Sequence, residues 1–380
     1  MQTGGHGAFK RQQRMVDSLI RRGYEVIWIA PPGYIAPGVN IIPLSFSKLP
    51  NIAFFGLYIK LFATFVKNRK KLQNVRAVFS IREYDALCMA TLPFLRRTLK
   101  VFLSRGDTIS ILKVNSPDNR TIHAKIKLKA TLILYPFIQR LVLQLSGIVV
   151  VQAQFLLKML QDRHSNLNFN AIVLRNDCRP IVSTNKSNAS AYNKLHVTTN
   201  NAPLNLAFIA PLYWECKGLG VIVDMINELD KRGFSYIFHI AGDGPDKERL
   251  YNALSKFSLE KKIIWHGWIE DIGALVTSVD IIIAPSLYDS NPNLILEAIA
   301  YDKPILASDI AAHKEMLVYD ELLFENKNIK NLCDKIELFS TNDENRDIIY
   351  RRIYERKKIL SFDWDMEFVR IIESNLNKDW

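Results

Sequence analysis

The chain has 380 residues, 48% of them apolar, which is enough to bury a large core and suggests two domains. Its four cysteines lie far apart and form no CxxC pair, which argues against a zinc site and a disulfide framework. Residues 1–200 carry 29 Lys and Arg against 8 Asp and Glu, whereas residues 201–380 carry 21 against 30. This asymmetry predicts two domains with different partners, the basic one facing something anionic.

The chain opens on MQTGGHGAFKRQQRMVDSLIRRGYEVIWIA, which predicts a glycine-rich turn, a helix over 8–22 and a strand over 24–30. No strand precedes the turn, although a doubly wound domain normally leads into that turn from its first, central strand. We therefore expect about ten residues to be missing upstream, the length of an ordinary strand with its approach to the turn.

Residues 51–76, NIAFFGLYIKLFATFVKNRKKLQNVR, combine large apolar side chains with a basic cluster at 67–71. Such a segment can lie on an anionic membrane surface, or it can be a core helix with a solvated basic end. The positive charge of the first half favours the membrane. The most apolar stretch, 131–157, is interrupted by polar residues and falls short of the ~20 apolar residues that a membrane span needs. Further strands are predicted over 77–81, 100–104 and 147–153.

The second half begins after a linker at 183–204 that is rich in Ser, Thr and Asn and poor in large apolar residues. Short β-branched runs then alternate with amphipathic segments, a pattern that predicts βα units and a parallel sheet. The predicted strands are 205–210, 235–242, 263–267, 281–286 and 304–309. Together they indicate one complete doubly wound α/β domain.

The stretch IIIAPSLYDSNPNLILEAIA predicts a strand, a polar loop and the start of a helix, so that the amides of residues 290–294 lie at or near a helix N-terminus. Such a position attracts anions, because N–H groups and the helix dipole both point at the ligand. Asp289 precedes this position, and Glu297 follows about one helical turn inside it. A nucleotide sugar, with hydroxyls on both sides of a diphosphate, suits that arrangement. The alternative is a loop carboxylate and a solvated helix carboxylate that bind nothing.

Two other loops of the second half carry residues suited to a phosphate or to tight turns. Lys217 and Gly218 follow a predicted strand and precede a helix, where a lysine can reach a phosphate and a glycine permits the turn. A solvated loop lysine is the alternative. Gly242 and Gly244, in AGDGP, are interpreted as turn residues and not as binding residues.

In order, KG, AGDGP, HGW, APS, D-x7-E and KPILASD over about 205–317 resemble the nucleotide-binding half of the family 4 retaining glycosyltransferases, which have the GT-B fold. TGGHGAFKRQQRMVDSLIRRGYEV resembles the opening turn and helix of that family, and SFDWDMEFVRIIESNL resembles its last helix, which crosses back to the first domain. The resemblance implies an α/β protein of two doubly wound, Rossmann-like domains facing a central cleft. The expected parts are an acceptor-side domain at 1–182 with helix 363–380 packed back on it, the linker at 183–204 and a nucleotide-sugar-binding domain at 205–362.

By this resemblance several residues have specific roles. Glu297 contacts the nucleotide ribose, and the catalytic candidates are Asp289, beside the donor sugar, and Lys217, on the diphosphate. Amides at the start of the helix help to hold the diphosphate, and two glycines let the first domain approach it. These further donor-binding candidates are Ser290, Asn293, Leu294, Gly4 and Gly5.

The sequence also departs from the family pattern. The family usually has Glu at both ends of its E-x7-E, and Asp289 is one methylene shorter than the first of them. The family often has Gly-Arg-Leu before its Lys-Gly, with the Arg on the diphosphate, whereas this chain reads IAPLYWECKG. The first-domain His of the family has no clear counterpart here. Arg105 and Asp107, at a predicted strand end, are acceptor-side candidates, with a surface loop as the alternative.

The resemblance implies a retaining glycosyltransferase of the hexosyltransferase type that extends a glycan or a lipid-linked oligosaccharide in surface polysaccharide biosynthesis. No cofactor and no essential metal are expected, because Lys and helix N–H groups can neutralise the leaving diphosphate. The expected partners are the nucleotide-sugar donor, the acceptor and an anionic membrane surface, without nucleic acid. The expected location is cytoplasmic, at the inner face of the cytoplasmic membrane. A non-catalytic nucleotide-sugar-binding subunit and a GT-B-fold epimerase stay open as alternatives.

Overall fold

The computed structural model describes residues 7–30, 38–44, 53–114, 122–178 and 202–376. The chain divides into two units. The first comprises Met1–Ile109, Asn119–Arg175 and Asp363–Trp380, and the second comprises Ser110–Asp118 and Asn176–Phe362.

The first half of the chain forms two parallel sheets, β1-β2 and β3-β4-β5-β6, with helices between the strands. A short 3₁₀ turn at Pro93–Leu95 follows the fourth helix. The elements are α1 Gly7–Arg21, β1 Val26–Ala30, β2 Val39–Pro43, α2 Ala53–Lys67, α3 Arg69–Leu72, β3 Ala77–Ser80, α4 Glu83–Ala90, β4 Leu99–Ser104, α5 Thr108–Val114, α6 Ile122–Leu145, β5 Ile148–Val151, α7 Gln154–Arg163 and β6 Ala171–Val173.

The second half forms a six-stranded sheet in the order β12-β11-β10-β7-β8-β9, parallel throughout. This is the doubly wound order, in which the chain moves outward from β7 in one direction and then restarts beside it with β10. A 3₁₀ turn lies at Asp320–Leu322. The elements are β7 Leu204–Ile209, α8 Trp214–Lys217, α9 Leu219–Lys231, β8 Tyr236–Ala241, α10 Lys247–Ala253, α11 Ser255–Leu259, β9 Ile263–Gly267, α12 Gly273–Ser278, β10 Ile281–Ala284, α13 Asn293–Ala300, β11 Ile305–Ser308, α14 Ala311–Leu317, β12 Leu323–Phe324, α15 Ile329–Thr341 and α16 Asp343–Leu360.

The core of this second unit explains its sequence pattern. β10 and β11 are buried at every position, as expected of central parallel strands that are covered on both faces. Helices such as α9 instead bury one side only, with Ile222, Met225, Ile226 and Leu229 inside. Burial on both faces therefore gives the continuous apolar runs from which these strands are predicted.

The last helix, α17 (Trp364–Leu376), packs against α1 within the first unit. The guanidinium of Arg14 donates to Asp365 at 2.5 Å and lies over the ring of Trp364. Tyr24 donates to Glu373 at 3.2 Å, and Phe368 packs on Phe79. An ion pair and an aromatic cluster thus attach the C-terminal helix to the start of the chain.

Helices α2 and α6 bury one side and expose apolar residues on the other. In α2, Leu61 and Phe65 belong to the core while Ile59 is more than half exposed. The buried face fits the core-helix interpretation of 51–76, and the exposed face fits the membrane-surface interpretation. In α6, an 18-residue window, Leu128–Leu145, has a mean hydropathy of 1.2 and is 22% buried. By length and composition it is the one helix of the described chain that could cross a membrane, which by itself is weak support for a span.

Candidate functional site

The candidate residues of the second unit lie at the switch point of its sheet. β7 and β10 are parallel neighbours, with Leu206 opposite Ile281, so their carboxyl ends open at the same edge. The chain leaves β7 towards one side of the sheet and β10 towards the other, and a crevice forms between such divergent connections. Lys217 follows β7 and Asp289 follows β10. Although they are 72 residues apart, the topology brings these two segments together.

The turn after β7 is fastened to the turn after β10 by close backbone contact. The amides of Leu287 and Tyr288 donate to the carbonyl of Cys216 at 3.0 and 3.3 Å. Gly218, which ends α8 and begins α9, has φ +67°, and a Cβ at this position would lie 2.0 Å from the carbonyl oxygen of Pro285. Only glycine combines this left-handed conformation with such a close approach. The glycine that the sequence predicts at the turn therefore fixes the spacing of the two loops.

Lys217 and Asp289 form an ion pair at this junction. Lys217 Nζ donates to Asp289 Oδ2 at 2.6 Å, and the two side chains are 20% and 13% exposed. The other carboxylate oxygen, Oδ1, accepts from the amide of Asn291 at 3.2 Å. Burial raises the pKa of Asp289, but the charge and hydrogen bond of Lys217 outweigh it, so the pKa falls below its usual value. The site thus has a charged lysine and an ionised aspartate held in one position.

Helix α13 begins beside this pair. Its N-cap is Pro292 and its first residues are Asn293 and Leu294, so their amides lie at the end to which helix N–H groups point. Glu297 is the fifth residue of the helix and is half-buried. Ser290, also half-buried, lies in the turn between Asp289 and the helix. The structure therefore places the aspartate of the ion pair, a polar turn and a helix N-terminus in one continuous segment, 289–294.

A buried histidine that the sequence analysis does not single out is linked through Ser308 to Ser286, three residues before Asp289. His313, in α14, is fully buried and its Nδ1 donates to the carbonyl of Ser308 at 2.8 Å, while Ser308 Oγ donates to the carbonyl of Ser286 at 2.5 Å. Its Nε2 has no hydrogen-bond partner in the described part of the chain. Burial lowers the pKa of His313 to about 4, so the ring is neutral at pH 7. No sequence signal marks this residue, because a lone His in an apolar helix usually belongs to the core.

Gly242 and Gly244 hold the neighbouring turn together. A Cβ on Gly242, whose φ is +145°, would lie 1.9 Å from the carbonyl oxygen of Ala210, and a Cβ on Gly244 would lie 2.5 Å from that of Leu212. The interpretation of both as turn residues is confirmed. Because they have no side chain, the turn after β8 can pack closely against the turn that leads to Lys217.

The candidates of the first half are placed differently. Gly4 and Gly5 lie outside the described residues. The expected strand upstream of the glycine-rich turn lies outside them too. Asp107 is 1% exposed, and its two oxygens accept from Arg163 at 2.6 and 2.9 Å, so the surface-loop alternative is wrong for this residue. Arg105 is half-buried, and burial lowers its pKa to about 10; its Nη2 donates to the sulfur of Met15 at 3.9 Å. Within this unit Asp107 therefore anchors α7 to the end of β4.

Solved structures match almost the whole length of the chain. Sucrose-phosphate synthase from Thermosynechococcus elongatus superposes with a TM-score of 0.74 at 13% identity, covering 97% of this chain and 92% of that one. The chain has the GT-B fold. This confirms the fold class that the ordered motifs predict.

The family match lies within the second unit of this GT-B chain. Residues 203–342 match the family described as Glycosyl transferases group 1. Protein CapJ of Staphylococcus aureus is 28% identical over 171 residues, 44% of this chain and 42% of that protein. A UDP-Gal:alpha-D-GlcNAc-diphosphoundecaprenol alpha-1,3-galactosyltransferase of Escherichia coli is 29% identical over 103 residues, 27% of that protein. The matching segments thus span less than half the length of these curated relatives.

Proposed function

We propose that the protein is a retaining glycosyltransferase that moves a sugar from a nucleoside-diphosphate sugar to a glycan or lipid-linked acceptor in surface polysaccharide biosynthesis. The observation that carries the proposal is the junction at the sheet's switch point, where Lys217, Asp289 and the N-terminus of α13 meet. The GT-B fold and the match of 203–342 to glycosyl transferases group 1 support it. A relative whose name includes a UDP-sugar and a lipid diphosphate supports the substrate classes.

In this proposal the donor diphosphate lies between Lys217 and the first amides of α13. Lys217 supplies a point charge, and the amides of Asn293 and Leu294 supply oriented N–H groups and the positive end of the helix dipole. Glu297, one turn further along the helix, accepts from the ribose hydroxyls. Asp289, on the other side of the lysine, accepts from hydroxyls of the sugar. The ion pair with Asp289 holds the Lys217 side chain in one position, so little reorganisation is needed when the diphosphate binds.

The reaction proposed for this site breaks the bond between the anomeric carbon and the diphosphate oxygen. The acceptor oxygen forms the new bond from the same face, its proton passes to a donor phosphate oxygen, and the diphosphate leaves with the bond's electron pair. The protein supplies positioning and charge stabilisation of the leaving group. Within the described residues, no three His, Cys, Asp or Glu side chains are grouped as a metal site. Transfer without an essential metal stays a prediction.

A lipid-linked acceptor would place the reaction at a membrane. We therefore propose a peripheral location at the inner face of the cytoplasmic membrane, as the basic first half of the sequence predicts. The net charge of residues 1–200 is positive and that of residues 201–380 is negative, so the first half is the one suited to an anionic lipid surface.

The test combines binding and turnover. Purified protein is first screened by thermal shift against a panel of nucleoside-diphosphate sugars, and the best donor is then incubated with lipid-linked and soluble glycan acceptors. The expected result is a product whose anomeric configuration, measured by NMR, equals that of the donor. An inverted product would refute retention. Donor binding without any turnover would favour the non-catalytic subunit, and a changed donor sugar without acceptor would favour the epimerase.

A further inference from the structure

Helix α6 exposes a long apolar stripe. Six large apolar side chains of this helix are between 46% and 66% exposed. At 100° per residue they fall within about 120° of the helix circumference, so they line one side of the helix, which they share with the exposed Gln144. Contiguous exposed apolar surface of this kind marks an interaction site. The stripe consists of Ile126, Ile133, Leu134, Phe137, Leu141 and Leu145.

The opposite face of α6 is fixed to the domain. Val142 and Leu143 are buried in a cluster with Phe102 and Val149 of the sheet. The side-chain oxygen of Gln139 accepts from Arg163 at 2.8 Å and lies 3.1 Å from a ring nitrogen of His164. Crossing a bilayer would expose these polar groups and the sheet's core to lipid, at a cost of several kcal/mol for each unsatisfied group. The helix can therefore meet a membrane only side-on.

Helix α2, which packs against α4 as α6 does, carries a second apolar stripe. Ile59, Phe62 and Val66 are exposed at positions i, i+3 and i+7. Helix α4 packs against both α2 and α6. The crossovers β3-α4-β4 and β4-α6-β5 join neighbouring parallel strands, and their right-handedness puts α4 and α6 on one face of the sheet.

The charges next to both stripes are basic. Neither α2 nor α6 contains an Asp or Glu. Lys125 and Lys129 are exposed beside the N-terminal part of the α6 stripe. The end of α2 and the following α3 expose a second set, Lys67, Arg69, Lys70 and Lys71. A second copy of this chain would bring like charges together, whereas an anionic bilayer complements both the apolar stripes and the lysines.

We propose that the exposed faces of α6 and α2 dock side-on into an anionic lipid bilayer. The apolar stripes enter the boundary between headgroups and acyl chains, and the basic residues contact lipid phosphates. This inference deepens the membrane location of the proposed function and names the surface that would provide it. The contacts that carry it lie within the first unit and do not involve the donor site.

The test is sedimentation of the full chain with vesicles of phosphatidylglycerol and phosphatidylethanolamine, and with vesicles of phosphatidylcholine. Wild type should bind the anionic vesicles and bind the neutral ones weakly. The variant Ile133→Ser/Phe137→Ser should bind the anionic vesicles at least about tenfold more weakly, because it removes two apolar side chains that insert. The variant Lys125→Glu/Lys129→Glu should lose about tenfold through charge. The matched control, Leu259→Ser/Ile359→Ser, removes two exposed apolar residues from the second unit and should bind as wild type does.

Equal binding by wild type and Ile133→Ser/Phe137→Ser, or equal binding to neutral and anionic vesicles, would overturn the proposal. Analytical ultracentrifugation is the second measurement. A wild-type dimer that the serine variant abolishes would assign the face to self-association and would also overturn it. Thermal shift with the donor runs in parallel: unchanged donor binding beside lost vesicle binding separates this inference from the donor-site proposal.

Discussion

The substitution Gly218→Ala tests whether the junction between the two loops determines the site. Gly218 and Gly233 have almost the same conformation, with φ +67° and +68°, but a Cβ on Gly233 would meet nothing within 4 Å. The left-handed conformation alone costs about 1 kcal/mol for alanine, so that is the expected effect of the control, Gly233→Ala. At Gly218 the new Cβ would also lie 2.0 Å from the oxygen of Pro285. Steric crowding of this kind adds about 1–3 kcal/mol.

The same contact sets how far the two loops would move apart in Gly218→Ala. Real Cβ contacts are essentially never under 3.0 Å, so the two loops must separate by about 1 Å. Lys217 and Asp289 lie on either side of that gap, and a misplacement of about 1 Å can cost about 100-fold in rate. The melting temperature of Gly218→Ala, measured by calorimetry, should therefore be well below that of Gly233→Ala. Its kcat/KM should be about 100-fold lower than that of the wild type. Equal melting temperatures and equal activities of the two variants would refute the reasoning.

Four further predictions concern charge and protonation. Asp289→Asn should lower kcat by about 100-fold while nucleoside-diphosphate binding, measured by calorimetry, is kept, since Lys217 and the amides of α13 are still present to hold the diphosphate. An unchanged kcat would show that Asp289 has no part in the reaction. Asp107→Ala should destabilise the first unit by about 3–5 kcal/mol in urea unfolding, because it removes the buried carboxylate that accepts from two nitrogens of the partly buried Arg163, and a loss below about 1 kcal/mol would contradict this. A histidine in the unfolded chain has a pKa near 6.5, whereas that of His313 in the folded protein is about 4, so the free energy of unfolding falls by about 3 kcal/mol as the pH drops from 6.5 to 4. His313→Gln should flatten this dependence of stability on pH. An equally steep dependence in the variant would argue against a buried neutral ring. Activity should persist in EDTA, and its complete loss would require a metal.

The central strands of the second unit are among those that the sequence predicts. β10 and β11 are buried at every position, so they read as continuous apolar runs bounded by turn residues. The strands missed by the prediction are β2, β6 and β12. β6 has three residues and β12 has two, and β2 ends on a proline with exposed positions. Short edge strands leave too few residues for a periodic signal.

The residues of the candidate site are predictable one by one, but their contacts are not. A lysine after one strand and an aspartate after another carry no signal that they meet, because the contact depends on the order of strands in the sheet. His313 contacts Ser308, only five residues earlier, and it is the bond from Ser308 Oγ to the carbonyl of Ser286 that depends on β10 and β11 being neighbours. Asp107 shows the converse. At the end of a strand it has the sequence context of a surface loop, and it is buried because Arg163, 56 residues later, reaches it.

The central claim, a diphosphate site at the junction of β7 and β10, is tested most directly by isothermal titration of nucleoside diphosphates into three proteins. These are wild type, Lys217→Ala and the control Lys314→Ala, which removes another lysine paired with an aspartate in the same unit. The account predicts that wild type and Lys314→Ala bind one nucleoside diphosphate alike, and that Lys217→Ala binds it at least about tenfold more weakly, through loss of a charged hydrogen bond. Equal affinity of Lys217→Ala and wild type would contradict the account.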